Sequence, residues 1–307
     1  MRIGLMHGDV GGFTIEEQIQ QIVDEEKDGF PCAWFGQVFG GDSLTIIALA
    51  GQRTKTIQIG TGVIPTYTRH PFAMAQQAMT VQAALDGRFV LGIGPSHQVV
   101  VESLWGLSYE KPARHMKEYL QVLLPLVRDG RVQFSGEVYK VQGQIAVAGM
   151  KPLPVIISAL APMMLKLAGA MADGTATWMT GPKTIETHVV PSITAAAKEA
   201  GRPAPRVVVG LPVCVTDDVA AAHDAAAKVF AMYGGLPNYR RMLDKEGAAG
   251  PADVAIIGNE PQVEQQIRAL ASTGATDMVA PIFPTGANPG ESMARTRALL
   301  QSLIGKV

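Results

Sequence analysis

The side chains best suited to chemistry in this sequence lie just beyond short apolar runs. His97 follows Leu91-Gly92-Ile93-Gly94-Pro95-Ser96, and its imidazole, with a free pKa near neutrality, could donate a proton to a substrate or act as a structural donor. Gly92-x-Gly94 could begin a dinucleotide fingerprint, but the third glycine is missing and Pro95 breaks an immediate helix. It reads instead as a strand end that either admits a cofactor or packs closely. Ser158-Ala159-Leu160-Ala161-Pro162 lies where a strand turns into a helix, so its amides could hold a phosphate or serve a plain helix start. His7, Gln37, Trp178 to Gly181 and Phe283 hold comparable positions. The set is short of charge. It has no carboxylate pair for glycoside chemistry, no lysine suggesting a Schiff base and no metal-binding cluster. An apolar, aromatic and amide-lined mouth suits a large planar cofactor that brings its own reactivity. Of the other histidines, His70 reads as a brace for the helix after it, and His115, His188 and His223 as surface residues on helices.

The elements that position these residues follow from periodicity. Ile57-Gln58-Ile59-Gly60-Thr61-Gly62-Val63-Ile64-Pro65 is a β-branched run suited to a buried parallel strand. Its two glycines imply a bulge or another group pressed on the backbone, or else relief of crowding under a helix. Pro71 then opens a helix, Phe72 to Leu85. Other strands are expected at Ile3–Met6, Cys32–Phe35, Arg88–Gly94, Val155–Ser158, Thr175–Met179, Arg206–Val215 and Asp277–Ile282. Thr14-Ile15-Glu16-Glu17 spells a capping box, and Asp42 caps the next helix. Further helices are expected from about Ala113 to Arg128, from Pro162, and over about Lys183–Ala200, Asp218–Met232, Pro261–Ser272 and Ser292–Ile304. Eight strands alternating with helices fit one (β/α)8 (TIM) barrel over 1–307 better than an open sheet. Two excursions are expected, a hairpin near 132–141 turned at Ser135-Gly136 and an irregular, lid-like segment near 233–250.

Composition narrows the function classes. The 307 residues are 47% apolar and 17% charged, enough for a large core, and 26 Lys plus Arg balance 27 Asp plus Glu. No basic excess marks a nucleic-acid or membrane-surface protein. Cys32 and Cys214 sit in apolar runs and are expected to be reduced, buried thiols. The start lacks the layout of a signal peptide, and the most apolar stretch, Val155 to Ala172, is broken by Pro162 and Lys166. A soluble cytoplasmic protein acting on a small molecule is expected.

Four segments in order resemble the luciferase-like monooxygenase superfamily, and within it the deazaflavin (coenzyme F420)-dependent oxidoreductases. They are Asp28-Gly29-Phe30 before Ala33-Trp34-Phe35, Ile59-Gly60-Thr61-Gly62-Val63 with Arg69-His70-Pro71, Gly87 to Gly94, and Ala168 to Gly174. The resemblance implies a bacterial luciferase-like TIM barrel with an insertion, a cofactor at the C-terminal ends of the strands, and a cis Gly62–Val63 peptide behind the ring. It implies cofactor contacts at Thr61, Gly62 and Val63, at Gly94 and Ser96, at Ala159, Leu160 and Ala161 for the phosphate, and at Thr180 and Gly181; His7, Gln37 and Ser158 complete the candidate set. The family's reductases similar to glucose-6-phosphate dehydrogenase carry an Asp-His pair after strand two and a Glu after strand four. Gln37-Val38 and His97 stand there in this sequence, which argues against a sugar-phosphate substrate. The activity implied is hydride transfer between F420 and an unidentified small organic substrate, with His97 as the candidate proton donor and a homodimer as the assembly. The alternatives are an FMN-dependent monooxygenase and a non-catalytic flavin-binding protein.

Overall fold

The computed structural model describes residues 1–8, 12–37, 39–286 and 288–307. Val38 and part of the glycine-rich loop between His7 and Phe13 lie outside the described residues. Eight parallel strands form the barrel: β1 (Arg2–His7), β2 (Cys32–Phe35), β3 (Gln58–Thr61), β4 (Phe89–Gly94), β5 (Val155–Ser158), β6 (Gly174–Trp178), β7 (Arg206–Gly210) and β8 (Asp277–Ala280). Each pairs with the next, and Arg2↔Asp277 to Leu5↔Ala280 close the circle between β1 and β8. Helices follow the strands, as parallel neighbours require a crossover. The fold is therefore a TIM barrel.

Local chemistry sets the helix ends. Thr14 and Glu17 form the expected capping box on Ile15–Lys27, and the Asp42 carboxylate accepts the Thr45 amide at the head of Ser43–Arg53. Pro71 takes the first position of Pro71–Ala84, with the His70 ring accepting the Phe72 amide as the brace expected of it. The wheel interior is filled by Cys32, Trp34, Val90, Ile156, Val208 and Val279, with Met6 and Ala176 against them. The strands' other faces pack on the helices in a second, larger core. Both cysteines are buried free thiols, and burial raises each to a pKa of about 11.

Two expectations need correction. The run Arg206–Val215 is not one strand: after Gly210 it leaves the barrel, and Val213–Val215 pairs with Ile256–Gly258 in a separate two-stranded parallel sheet. Pro212, which has no amide proton to give a ladder, stands at the break, and its carbonyl accepts the Ile256 amide instead. The segment 233–250 is helical, not irregular: Ala231–Gly235 and Pro237–Glu246 form two helices, the second ending on left-handed Gly247. Between β4 and helix Pro112–Asp129 the chain forms a π-helical turn, Val100–Leu104. The hairpin is present, Arg131–Ser135 antiparallel to Lys140–Gln144, turned at 136–139. Among the described residues no helix is long and apolar enough to cross a membrane.

Candidate active site

The C-terminal mouth of the barrel is shaped first by a break in β3. The Gly62–Val63 peptide is cis, and the chain resumes pairing with β4 at Ile64↔Ile93 and Pro65↔Gly94. Thr61 mends the gap between the two ladders. Its buried hydroxyl donates to the Gly92 carbonyl at 2.8 Å and accepts the Gly92 amide at 2.8 Å. That hydroxyl is fully committed to the backbone, so what Thr61 offers the mouth is position and not a hydrogen bond.

Glycines clear the floor. A Cβ on Gly94 would fall 2.3 Å from Ser158 Oγ and 2.8 Å from Val63 Cγ2, and one on Gly92 would fall 1.9 Å from the Thr61 carbonyl oxygen. Val63, Gly94 and Ser158 therefore converge from three neighbouring strand ends. Gly60 serves the interior: a Cβ there would strike the Trp34 ring at 2.7 Å. Crowding is thus relieved at Gly60, but against a barrel tryptophan and not beneath a helix. Trp34, fully buried, closes the wheel below.

A chain of aromatic rings lies beyond other strand ends. The His97 ring lies 5.4 Å from Tyr239, Tyr239 5.3 Å from Tyr233, and Tyr233 5.7 Å from Trp178. Phe230 joins Trp178 to Phe283 at 6.1 and 5.8 Å. This chain of one tilted and several edge contacts runs from the end of β4 past β6 to β8. The indole N–H of Trp178 is buried and makes no hydrogen bond of acceptable geometry. Burial lowers the His97 pKa, because the imidazolium loses solvation. Sequence reasoning missed Tyr233, Tyr239 and Glu246. Pro237 at a helix start, Gly247 beyond its end, and Tyr239, Met242, Leu243 and Glu246 at three- and four-residue spacing were the available signal.

Helix Pro237–Glu246 is anchored at its far end. The Glu246 carboxylate accepts the Lys183 amide (3.1 Å), the Thr184 amide (2.7 Å) and the Thr184 hydroxyl (2.7 Å), capping the helical turn that follows β6. Gly181 makes room for it, since a Cβ there would lie 2.4 Å from the carboxylate carbon. Thr180 is buried and its hydroxyl donates to the Trp178 carbonyl. Neither side chain is presented to a ligand in this arrangement.

At the end of β5 the Ala159 amide donates to Thr175 Oγ1 at 3.1 Å. Ala161 is the N-cap of Pro162–Met171 with no side-chain cap, so the first turn of that helix keeps its dipole uncompensated. His188 contacts the Leu160 carbonyl through Nε2 at 2.8 Å, so this histidine is not a remote surface residue. His115 is buried too, stacked on Tyr67 at 4.0 Å with Nε2 2.9 Å from Thr66 Oγ1. Of the three histidines expected on the surface, His223 alone is exposed, paired with Asp253.

His7 and Gln37 sit at strand ends but face away from the mouth. His7 Nε2 lies 2.6 Å from the buried Glu25 carboxylate and Nδ1 lies 3.2 Å from Gln21 Oε1, both on helix Ile15–Lys27. Gln37 Oε1 accepts the Ser43 amide and lies 3.5 Å from Arg69, which also grips Asp42. Ser96, in the left-handed region at φ 60°, offers its carbonyl to Tyr109.

With this geometry in hand, comparison with known proteins decides the lineage. The family model for luciferase-like monooxygenases matches residues 2–304. The chain belongs to the luciferase-like monooxygenase family. Among its relatives is a 5,10-methylenetetrahydromethanopterin reductase of Methanolobus tindarius, 29% identical over 279 residues, covering 90% of this chain and 84% of that one. The fold is similar to that of the coenzyme F420-dependent tetrahydromethanopterin reductase of Methanopyrus kandleri (TM-score 0.79, 22% identity, 99% and 98% of the chains covered). It is also similar to that of the oxygenating constituent of 3,6-diketocamphane monooxygenase from Pseudomonas putida, in complex with FMN (TM-score 0.76, 16% identity, 100% and 97% covered). The barrel is thus shared with one protein named as coenzyme F420-dependent and one in complex with FMN.

Proposed function

We propose that this protein is a coenzyme F420-dependent oxidoreductase that moves a hydride between the deazaflavin and a small, largely apolar organic substrate. The observation that carries the reading is the convergence of Val63, Gly94 and Ser158 at three neighbouring strand ends beside the cis Gly62–Val63 peptide, with the His97–Tyr239–Tyr233–Trp178 rings at the ends of further strands of the same mouth. These apolar strand ends and aromatic rings suit a planar ring system. A Mycobacterium tuberculosis relative named as a putative coenzyme F420-dependent oxidoreductase, 26% identical over 298 residues, supports the deazaflavin over FMN.

The bound deazaflavin would supply the hydride chemistry. Backbone at Gly62–Val63 and the bare Cα of Gly94 would hold its ring, and the Leu160–Ala161 turn, at the uncompensated start of Pro162–Met171, its phosphate. The aromatic wall would exclude water from the transfer. His97, neutral at pH 7 because burial lowers its pKa, would take the substrate's proton at an imidazole nitrogen during oxidation and return it during reduction. Tyr239 would hold the ring of His97 at the barrel mouth. The protein is expected to work as a single-barrel polypeptide, in the cytoplasm and as a homodimer.

The test is anaerobic. F420 and FMN are titrated into the protein side by side, and a panel of alcohols, enones and imines is then followed by the deazaflavin absorbance. Binding of F420 in preference to FMN, with turnover in the absence of oxygen, is expected. A strict oxygen requirement with an oxygenated product would overturn the proposal in favour of the FMN monooxygenase chemistry of the Pseudomonas putida fold relative. Binding without turnover of any compound would overturn it in favour of a carrier.

A further inference from the structure

A second feature lies outside the barrel, beside the turn assigned to the phosphate. A groove of about 740 Å³ runs between the head of helix Pro112–Asp129 and the first two turns of helix Pro162–Met171. One wall is apolar, with Met163 65% exposed and Leu167 behind it. The other is a stripe on one helical face, Lys111, Arg114 and Lys117 at three-residue spacing, with Gln121 a turn further on. The two acids in the lining are already engaged. Glu118 accepts the amides of Glu137, Val138 and Tyr139 at the hairpin turn, and Glu137 pairs with Arg114. Lys111 and Lys117 are exposed and have no acidic partner among the described residues.

Two unpaired ammonium groups held open beside a long groove are a receptor for a flexible polyanion. Met163 is the second residue of the helix whose start, Ala161, ends the phosphate turn, so the groove begins where a phosphate held at that turn would leave the barrel. We propose that this groove binds the oligoglutamate tail of the deazaflavin coenzyme, an inference that rests on the cofactor reading above. The tail is joined to the ring through the phosphate, and each glutamate adds a free carboxylate. Lys111 and Lys117 pair with successive carboxylates, Arg114 is shared between Glu137 and the tail, and Met163 and Leu167 cover the methylene segments. FMN ends at its phosphate and leaves the groove unused. The same barrel site therefore gains its preference for the deazaflavin from charges outside the ring pocket.

The test compares two natural forms of the coenzyme, one with phospholactate but no glutamate and one with a long oligoglutamate tail, by equilibrium titration of their fluorescence with the full-length protein. The wild type is expected to bind the long form more tightly at low salt, with the advantage lost at high salt. In Lys111→Glu/Lys117→Glu the affinity for the long form should fall roughly five- to tenfold, the scale of two exposed charge pairs reversed in sign. Affinity for the tail-less form should not change, which also shows that the variant is folded. Equal wild-type affinities for the two forms, or a tail preference that survives in the double variant, overturn this inference while leaving the cofactor reading standing. In the second case the groove becomes a contact for some other acidic partner. Binding of FMN with no binding of either deazaflavin form overturns both.

Discussion

His97 carries the sharpest residue-scale consequence. It stands just past β4 against the Tyr239 ring, and burial holds its pKa below the usual 6.5. As the group that exchanges a proton with substrate, it should cost turnover roughly 10²- to 10⁴-fold when replaced in His97→Asn, while cofactor affinity changes little. The sign of the pH dependence follows from the depressed pKa. In the direction of substrate oxidation the neutral imidazole is the active form, so turnover is full near pH 7 and falls as pH drops through a value below 6.5. Steady-state profiles of the wild type should show this acid limb, and the variant's residual rate should lack it. A variant with unchanged turnover would make His97 a structural partner of Tyr239.

At the scale of elements, helix Pro237–Glu246 depends on one carboxylate. Glu246→Ala removes the acceptor for two amides and a hydroxyl at the turn after β6 and should lower stability by about 1–2 kcal/mol, the scale of a lost helix cap. Because the same helix brings Tyr239 to His97, ligand release should also quicken; urea unfolding and stopped-flow release measure the two effects separately. A stability loss with unchanged release would separate the helix from the mouth. His115 ties its own helix to two other elements, the loop after β3 through Thr66 and the hairpin through Tyr139 at 3.5 Å. Its folded pKa is depressed from 6.5 to about 4 by burial. The unfolded chain therefore takes up the proton first as pH falls, so stability is full above 6.5 and drains between 6.5 and about 4, by on the order of 3 kcal/mol. His115→Gln should flatten that part of the pH–stability curve, read from urea midpoints at pH 7 and 4.5.

At the scale of the molecule, stability and chemistry occupy opposite ends of the barrel. Asp277, fully buried at the N-terminal end of β8, receives Arg206 at 2.8 Å and Arg2 at 2.6 Å, and Gln58 accepts from both arginines. This cluster closes the bottom of the wheel, where β1, β3, β7 and β8 begin. Asp277→Ala strands two guanidinium groups and should cost about 3 kcal/mol, the lower end for a broken buried pair because Arg2 is partly exposed. Cofactor affinity should be unchanged, since in such barrels the N-terminal face supports the fold and the C-terminal face binds ligands. A thermal melt and a cofactor titration on the same preparation check both halves; a large loss of affinity at preserved stability would contradict this division.

Local and periodic signals were enough to read the barrel. β-branched runs, the Thr14–Glu17 box, Asp42, Pro71 and the hairpin all state their conformation within a few residues, because caps and strand alternation are short-range effects. The order of eight such units then leaves few ways to close a sheet. The positions of the candidate residues along the strand ends were also legible, since a strand's C-terminal end is a sequence property once the topology is known. Their orientation was not. His7 and Gln37 turn toward helices, the Thr61 hydroxyl is spent on Gly92, and His115 is buried, because each choice depends on partners 6 to 49 residues away in sequence. The same holds for the break at Pro212 and for the Tyr239 wall. A side chain's direction is chosen by the non-local groups that satisfy its polar atoms or cover its apolar surface, and only the tertiary structure brings those groups together.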